Sequence, residues 1–331
     1  MAIRVVQFGL GPIGQACVKV LLQKAGVEVA GAIDIDPAKV GRDLGEVCGL
    51  RRTTGLVVRG DAAAALAEWR PQVVVHTTSS FLNRIDEQLA TIVRAGSHVV
   101  SSSEELFYPY ERDPEFCRRL DALAQQHGVA VVATGVNPGF AMDILPLTLT
   151  GVCTAVRAIR ITRVADASKR RLPFQQKIGA GLTPAQFRAK VRAGGFGHIG
   201  LRESALTILR RLGWQADQFI ESLKPVRATR RITTPYLTVA KGQVTGIHQM
   251  LKCRQAGKDL LVFDWKMYVG APESFDRVEI KGEPPLTMNI AGGIFGDTGT
   301  IGALVNTIPK VLQAAPGLRT TVELPVPHAF L

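Results

Sequence analysis

No apolar run in this sequence is long enough to cross a bilayer, which takes about 18 to 20 consecutive apolar residues. Aromatic residues are scarce, at 6%, and none alternate with basic side chains as in proteins that stack single-stranded nucleic acid. Acidic residues number 28 against 40 basic ones, a formal charge of +12. The excess is not gathered into a footprint. Its densest runs, Ser168-Lys169-Arg170-Arg171, Arg210-Arg211 and Arg227-Ala228-Thr229-Arg230-Arg231, are short and far apart. That is a solvated basic surface suited to attracting an anionic cofactor, and neither nucleic acid nor membrane is an expected partner. Cysteine is sparse too. Cys17, Cys48, Cys117, Cys153 and Cys253 are spread singly, which excludes a disulfide framework and any paired spacing for zinc, so no metal is expected. Met1-Ala2-Ile3-Arg4-Val5-Val6 leads directly into a strand pattern with no cleavable apolar segment, so the expected location is cytoplasmic.

What is present is an ordinary globular composition, 46% hydrophobic and 21% charged over 331 residues, enough for about two domains. The first 135 or so residues alternate short apolar strands with helical stretches. Strands are expected at Ile3–Phe8, Val27–Ile33, Gly55–Arg59, Val73–His76, His98–Val100 and Val129–Val132. Helices are expected at Gln15–Ala25, Ala62–Glu68, Asn83–Ala95 and Asp113–His127. The pattern predicts parallel βαβ units, a doubly wound Rossmann sheet of the α/β class.

Between the first strand and first helix stands Gly9-Leu10-Gly11-Pro12-Ile13-Gly14. Gly9 permits the turn, Gly11 lets a pyrophosphate approach the backbone, and Gly14 lets the helix pack on the strand. The helix start offers N–H groups and a positive dipole end to the phosphates. Asp34 ends the second strand about twenty residues on, where a carboxylate accepts from the adenosine ribose hydroxyls. NAD is therefore the expected cofactor. NADP stays open through Arg42, Arg51 or Arg52, any of which could take a 2′-phosphate.

Ligands of such sheets lie outside the carboxyl ends of the strands. His76-Thr77-Thr78-Ser79-Ser80 and Ser101-Ser102-Ser103-Glu104-Glu105-Leu106 follow the fourth and fifth strands. Thr77, Thr78, Ser79 and Ser102 are small enough to let a flat cofactor pass, and Asn137 ends the last strand before the domain crossover. Glu104 or Glu105 suits general acid–base chemistry beside a nicotinamide, with Glu104 preferred and Leu106, Phe107 and Tyr108 as an apolar surround.

After residue 140 the pattern changes. Strand-like runs at Val156–Val164, Arg227–Thr233, Tyr236–Ala240, Gly246–Gln255, Lys258–Tyr268 and Phe275–Gly282, with helices at Thr183–Ala193 and Glu203–Leu212, predict an α+β domain with a mostly antiparallel sheet. Expected boundaries are 1–140 for dinucleotide binding, 141–298 for substrate binding and dimerisation, and 299–331 for a helix, Gly299–Ala314, returning to the first domain. His198, in the loop Gly194-Gly195-Phe196-Gly197-His198-Ile199-Gly200, is a candidate to face substrate. Asn306 and Trp265 read as structural.

The glycine loop, Ser103-Glu104-Glu105-Leu106, Gly135-Val136-Asn137-Pro138-Gly139-Phe140 with Asp143, Gly197-His198-Ile199-Gly200-Leu201-Arg202-Glu203-Ser204, and Gly296-Asp297-Thr298 with Val305-Asn306-Thr307-Ile308-Pro309 occur in that order. Together they resemble the 2,4-diaminopentanoate dehydrogenase family and its related native amine dehydrogenases, within the wider dihydrodipicolinate reductase-like group. The chain departs from dihydrodipicolinate reductases in lacking a His-His pair with a nearby Lys. It departs from sugar dehydrogenases in placing Glu104-Glu105-Leu106 where they carry Glu-Lys-Pro. The resemblance implies reversible oxidative deamination with NAD(P), amine to ketone or aldehyde plus ammonia, in a homodimer. It also implies a catalytic carboxylate after the fifth strand that takes a proton from the ammonium and holds iminium charge. Phe140, Phe174 and Phe196 become pocket candidates. A diamino acid is the alternative substrate, its carboxylate anchored by Arg163 or Lys177; a non-catalytic NAD(H)-binding regulator is the reading from another class.

Overall fold

In the computed structural model, which describes residues 2–330, the strands β1 (Ile3–Phe8), β2 (Val27–Ile33), β3 (Val58–Arg59), β4 (Val73–His76), β5 (His98–Ser101) and β6 (Ala130–Ala133) alternate with α1 (Pro12–Leu21), α2 (Leu44–Val47), α3 (Ala62–Trp69), α4 (Asp86–Arg94) and α5 (Pro114–Gln126). Val73, Val74 and Val75 are all fully buried, as a sheet covered on both faces requires. Asp61 and Asp113 start α3 and α5 by accepting the N–H groups of Ala64 and Phe116. Two expected elements come out shorter. Asp43 gathers the N–H groups of Gly45, Glu46, Thr54 and Gly55, which bends 54–57 into a loop and leaves only Val58–Arg59 to pair with β2. Ahead of α4 the expected helix is broken at Ile85, whose φ of −119° separates a 3₁₀ turn, Leu82–Arg84, from the helix proper.

The second unit spans Ala141–Phe295. It holds α6 (Ile144–Thr150), β7 (Ala155–Asp166), α7 (Leu172–Lys177), α8 (Pro184–Ala193), α9 (Leu201–Arg211), β8 (Gln218–Arg227), β9 (Ile232–Thr233), β10 (Thr238–Val239), β11 (Val244–Gln255), β12 (Lys258–Tyr268), β13 (Phe275–Glu283) and β14 (Leu286–Ala291). Six strands form one sheet in the order β14-β13-β7-β12-β11-β8, antiparallel throughout except for the β7–β12 pair. Residues paired across strands share a face, so Ile159, Ile161, Leu261, Phe263, Val278, Ile280, Leu251 and Cys253 make one buried apolar layer. The strand expected at Arg227–Thr233 is displaced: β8 ends at Arg227 and contains Pro225. Proline is tolerated there because β8 is an edge strand, bonded only to β11.

The chain then re-enters the first unit, which consists of 1–140 and 296–331. The helix α10 (Gly296–Val311) places Leu304, Val305, Ile308 and Val311 in one core with Val5, Val73, Val75, Val100 and Val132. The short strand β15 (Gly317–Arg319) pairs parallel with β6 and completes a seven-stranded sheet ordered β15-β6-β5-β4-β1-β2-β3. This is the predicted doubly wound parallel sheet. Its order reverses between β1 and β4, where such sheets open a crevice outside the strands' carboxyl ends.

Candidate active site

At the end of β1, Gly9 donates its N–H to the Ile33 carbonyl at 2.8 Å and turns with φ of +92°. A side chain at Gly9 would meet the Thr77 carbonyl at 2.7 Å, and one at Gly14 would lie 1.9 Å from the Gly9 carbonyl. Both positions are closed to any residue but glycine. Gly11 is the opposite case: no atom lies within 4 Å of where its Cβ would stand. Gly11 caps α1 without any side-chain hydrogen bond, and Pro12 follows at the first helical position. A loop closed from behind, open in front and leading into a helix N-terminus fits the pyrophosphate of a dinucleotide. Beneath it, Gln7, fully buried, donates to the Gly9 carbonyl at 3.0 Å and to the Thr77 hydroxyl at 2.8 Å, and Thr77 donates to the Gly9 carbonyl at 3.0 Å. Gln7 sits mid-strand among apolar residues, where sequence reading assigns it no task.

Asp34 lies at the end of β2, and its carboxylate also holds the loop. Its Oδ2 accepts the Leu10 N–H at 2.7 Å and Oδ1 accepts the Asp36 N–H at 2.9 Å. Lys39 Nζ approaches Asp34 Oδ2 and Asp36 Oδ2, each at 3.2 Å. This lysine was not among the cations expected to receive a 2′-phosphate. Of those, Arg42 is bonded to Glu46 at 2.6 Å and to the Ala38 carbonyl at 3.0 Å, while Arg51 and Arg52 are exposed.

The loops after β4 and β5 are joined twice. At their base, His76 Nδ1 lies 2.9 Å from Ser101 Oγ, while His76 Nε2 lies 2.8 Å from Gln88 Oε1 and 2.9 Å from Thr78 Oγ1. Farther out, Glu105 Oε2 accepts the Leu82 N–H at 2.9 Å, and its Oε1 pairs with Arg112 at 3.1 Å. The Glu105 N–H in turn donates to the Ser80 carbonyl at 3.1 Å. Both Glu105 oxygens are thus engaged in stapling one loop to the other. Glu104, half-buried, begins the next 3₁₀ turn, and Leu106 and Phe107 point into the core. The hydroxyls expected beside the cofactor are engaged within the protein: Thr78 donates to the Gln88 side-chain oxygen at 2.6 Å, and Ser79 accepts the Phe81 N–H at 3.3 Å. Ser102, half-buried, sends its N–H to the His76 carbonyl at 3.0 Å. Asn137 and Phe140, both half-buried, follow β6 in a turn where Gly139 packs against Gly135, leaving no room for a Cβ.

In the second unit a polar row crosses four strands. Asp276 is paired in register with Arg163, Arg163 with Trp265, and Trp265 with Gln249. Arg163 is buried against Asp276 at 3.0 Å and also donates to the Ile294 carbonyl. Burial pushes the Asp276 carboxyl up while Arg163 opposes it. Gln249 accepts the His198 N–H at 2.8 Å and donates to the His198 carbonyl at 3.1 Å and to Glu221 at 2.8 Å. The His198 ring lies 4.6 Å from that of Trp265. Desolvation, helped by the nearby Arg163 and Lys177, pulls the His198 imidazole down to about 3, so it is neutral at working pH. Phe174 on α7 lies under the Arg170 guanidinium at 3.9 Å, with Phe295 on the same guanidinium at 4.9 Å. Phe196 packs edge-on against Phe187.

Known proteins match at full length. Residues 140–331 match the 2,4-diaminopentanoate dehydrogenase C-terminal domain, and residues 3–103 the N-terminus of dihydrodipicolinate reductase. The chain is 30% identical to a 2,4-diaminopentanoate dehydrogenase from Acetoanaerobium sticklandii, over 99% of this chain and 95% of that one. It is 27% identical to an amine dehydrogenase from Streptomyces virginiae, over 99% and 98%. A solved amine dehydrogenase from Mycobacterium smegmatis has the same fold at a TM-score of 0.85, with 28% identity and coverage of 99% and 97%.

Proposed function

The chain belongs to the 2,4-diaminopentanoate dehydrogenase family, and from that premise we propose an NAD(P)-dependent amine dehydrogenase that interconverts amines with ketones or aldehydes and ammonia. One observation carries the assignment of the acid–base group. Of two adjacent carboxylates on the loop after β5, Glu105 has both oxygens engaged by Leu82 and Arg112 in stapling that loop to the one after β4, and we assign the catalytic role to the half-buried Glu104 that opens the following turn. The bound nicotinamide supplies or accepts the hydride. Glu104 takes the proton that makes an ammonium substrate into a neutral amine, passes it to solvent and, ionised again, stabilises iminium charge; in the other direction it orients ammonia and returns protons as water leaves. Gly9, Leu10, Gly11, Pro12, Ile13 and Gly14 hold the pyrophosphate, with Gln7 and Thr77 fixing the loop from below.

For the adenosine end, Asp34 favours NAD. Lys39 beside it supplies a cation for a 2′-phosphate, so NADP is accepted as well. We assign substrate binding to the second unit, with Phe174 and His198 as its contact candidates. A diamino acid is the second reading. Of the two anchors considered for its carboxylate, Arg163 is engaged by Asp276 and the Ile294 carbonyl, which ranks simple amines and carbonyls first. A cytoplasmic homodimer completes the proposal; light scattering at micromolar concentration checks the assembly. The direct test is NADH and NADPH oxidation with a panel of ketones and aldehydes, with and without excess ammonium at mildly alkaline pH. Ammonium-dependent oxidation supports the reading. Oxidation without ammonium would make the protein a carbonyl or imine reductase, and silence with intact cofactor binding would leave the diamino acid substrate or a non-catalytic NAD(H)-binding regulator.

A further inference from the structure

His76 ends β4 and is fully buried, its ring edge-on to Phe8 at 5.6 Å between centroids. With the Gln88 amide oxygen turned toward the ring, its hydrogen bonds have one consistent arrangement. Gln88 Oε1 can only accept, and it faces both His76 Nε2 and the Thr78 hydroxyl. Nε2 therefore carries the proton and Thr78 donates alongside it. Nδ1 is then the acceptor for the Ser101 hydroxyl, and Ser101 Oγ accepts the Ser103 N–H at 3.1 Å. One arm thus ends on the backbone immediately before Glu104. The other ends at Thr78, whose methyl group would be 2.9 Å from a Cβ at Gly9, against the back of the glycine loop.

We propose that His76 is a positioning residue whose two ring nitrogens separately set the loop bearing Glu104 and the loop behind the pyrophosphate site. Burial keeps the imidazole neutral, with its pKa down at about 4, so neither arm is lost by protonation near neutral pH. A buried polar group with every atom partnered fixes geometry where an apolar residue of the same size would only fill space. Misplacement of a reacting group by an ångström can cost on the order of 100-fold in rate, so the Ser101 arm acts on turnover and the Thr78 arm on cofactor affinity.

Two amide substitutions separate the arms. In His76→Asn the side-chain oxygen takes the place of Nδ1 and keeps the Ser101 arm; in His76→Gln the amide nitrogen takes the place of Nε2 and keeps the Gln88–Thr78 arm. The readouts are NADH affinity by fluorescence titration, amide hydrogen exchange over 102–107, and kcat. His76→Asn is expected to weaken NADH binding by about tenfold with exchange and kcat near wild type; His76→Gln is expected to speed exchange and lower kcat by about tenfold or more with NADH binding retained. Should His76→Gln fold poorly, Gln88→Leu tests the Thr78 arm and Ser101→Ala the other. Parallel changes of affinity and turnover in both amide variants, or an unaffected His76→Phe, would overturn the proposal. Only kcat rests on the amine dehydrogenase reading; if wild-type enzyme shows no turnover, that reading fails while binding and exchange still decide the role of His76.

Discussion

The two units deploy polar groups in opposite ways. In the first, they stand on loops at the carboxyl ends of parallel strands, and most of their hydrogen bonds go to the backbone of a neighbouring loop: Asp34 to Leu10, Thr77 to Gly9, Glu105 to Leu82. In the second, Asp276, Arg163, Trp265 and Gln249 stand inside strands, side by side across four of them: Arg163 pairs with Asp276, Gln249 bonds to the loop residue His198, and Trp265 meets the His198 ring. A parallel sheet brings its loop tips together by topology alone. An antiparallel sheet places residues far apart in sequence on one face, and only the register decides which. The first unit can therefore vary its chemistry by changing loops, whereas the second has a buried ion pair, Arg163 with Asp276, whose members depend on one another.

The largest effect should come from closing the glycine loop. Gly14→Val puts side-chain atoms where the Gly9 carbonyl already lies 1.9 Å from a Cβ position. NADH affinity is expected to fall at least 100-fold, measured by fluorescence titration, with the second unit's sheet still folded by circular dichroism. Next comes the row. Arg163→Met leaves a buried Asp276 without its cation and should cost about 3–5 kcal/mol in chemical denaturation, while Arg163→Met with Asp276→Leu should recover much of that. A stable Arg163→Met that lost only activity toward carboxylated substrates would turn the row into a binding device and erase the contrast.

That contrast also explains what the sequence disclosed. The doubly wound sheet, the glycine loop, Asp34 and the Glu104–Glu105 pair are local signals, a strand followed by a turn of marked chemistry. Arg163 and Trp265 were visible as residues but not as neighbours, since their register spans about a hundred residues of chain. Gln7 and Lys39 escaped for another reason: a glutamine in a strand and a lysine after a turn carry no pattern until the loop they touch is folded. Likewise β15 and α6 are too short for periodicity, and β8 was masked by Pro225.

Acid should sharpen the comparison more gently. His76 is held neutral at about 4, below its ordinary 6.5, so the unfolded chain takes the proton first as pH falls through 6.5. Stability should drop from there toward pH 4, by about 2 kcal/mol at pH 5 for this histidine. His198, at about 3, has the same sign in the second unit. Urea denaturation at pH 7.5 and 5 should show His76→Asn less acid-sensitive than wild type; equal sensitivity would mean that His76 gains its proton in the native state. The smallest effect expected is at Lys39. Lys39→Ala should weaken NADPH by about tenfold and NADH by less than about threefold, since the ammonium is itself partly exposed, shared between buried Asp34 and half-exposed Asp36, and screened. Equal losses for both cofactors would remove it from the 2′-phosphate site.

The central claim is the division of labour between two adjacent carboxylates, and paired amide substitutions test it most directly. Ammonium-dependent NADH oxidation, NADH affinity and melting temperature would be measured for wild type, Glu104→Gln and Glu105→Gln. The account predicts that Glu104→Gln loses at least about 100-fold in kcat with cofactor affinity unchanged. Glu105→Gln, which weakens the staple to Leu82 and Arg112, should melt about 2–4 °C lower and keep kcat within about tenfold. The reverse pattern, with turnover abolished in Glu105→Gln and retained in Glu104→Gln, would contradict it.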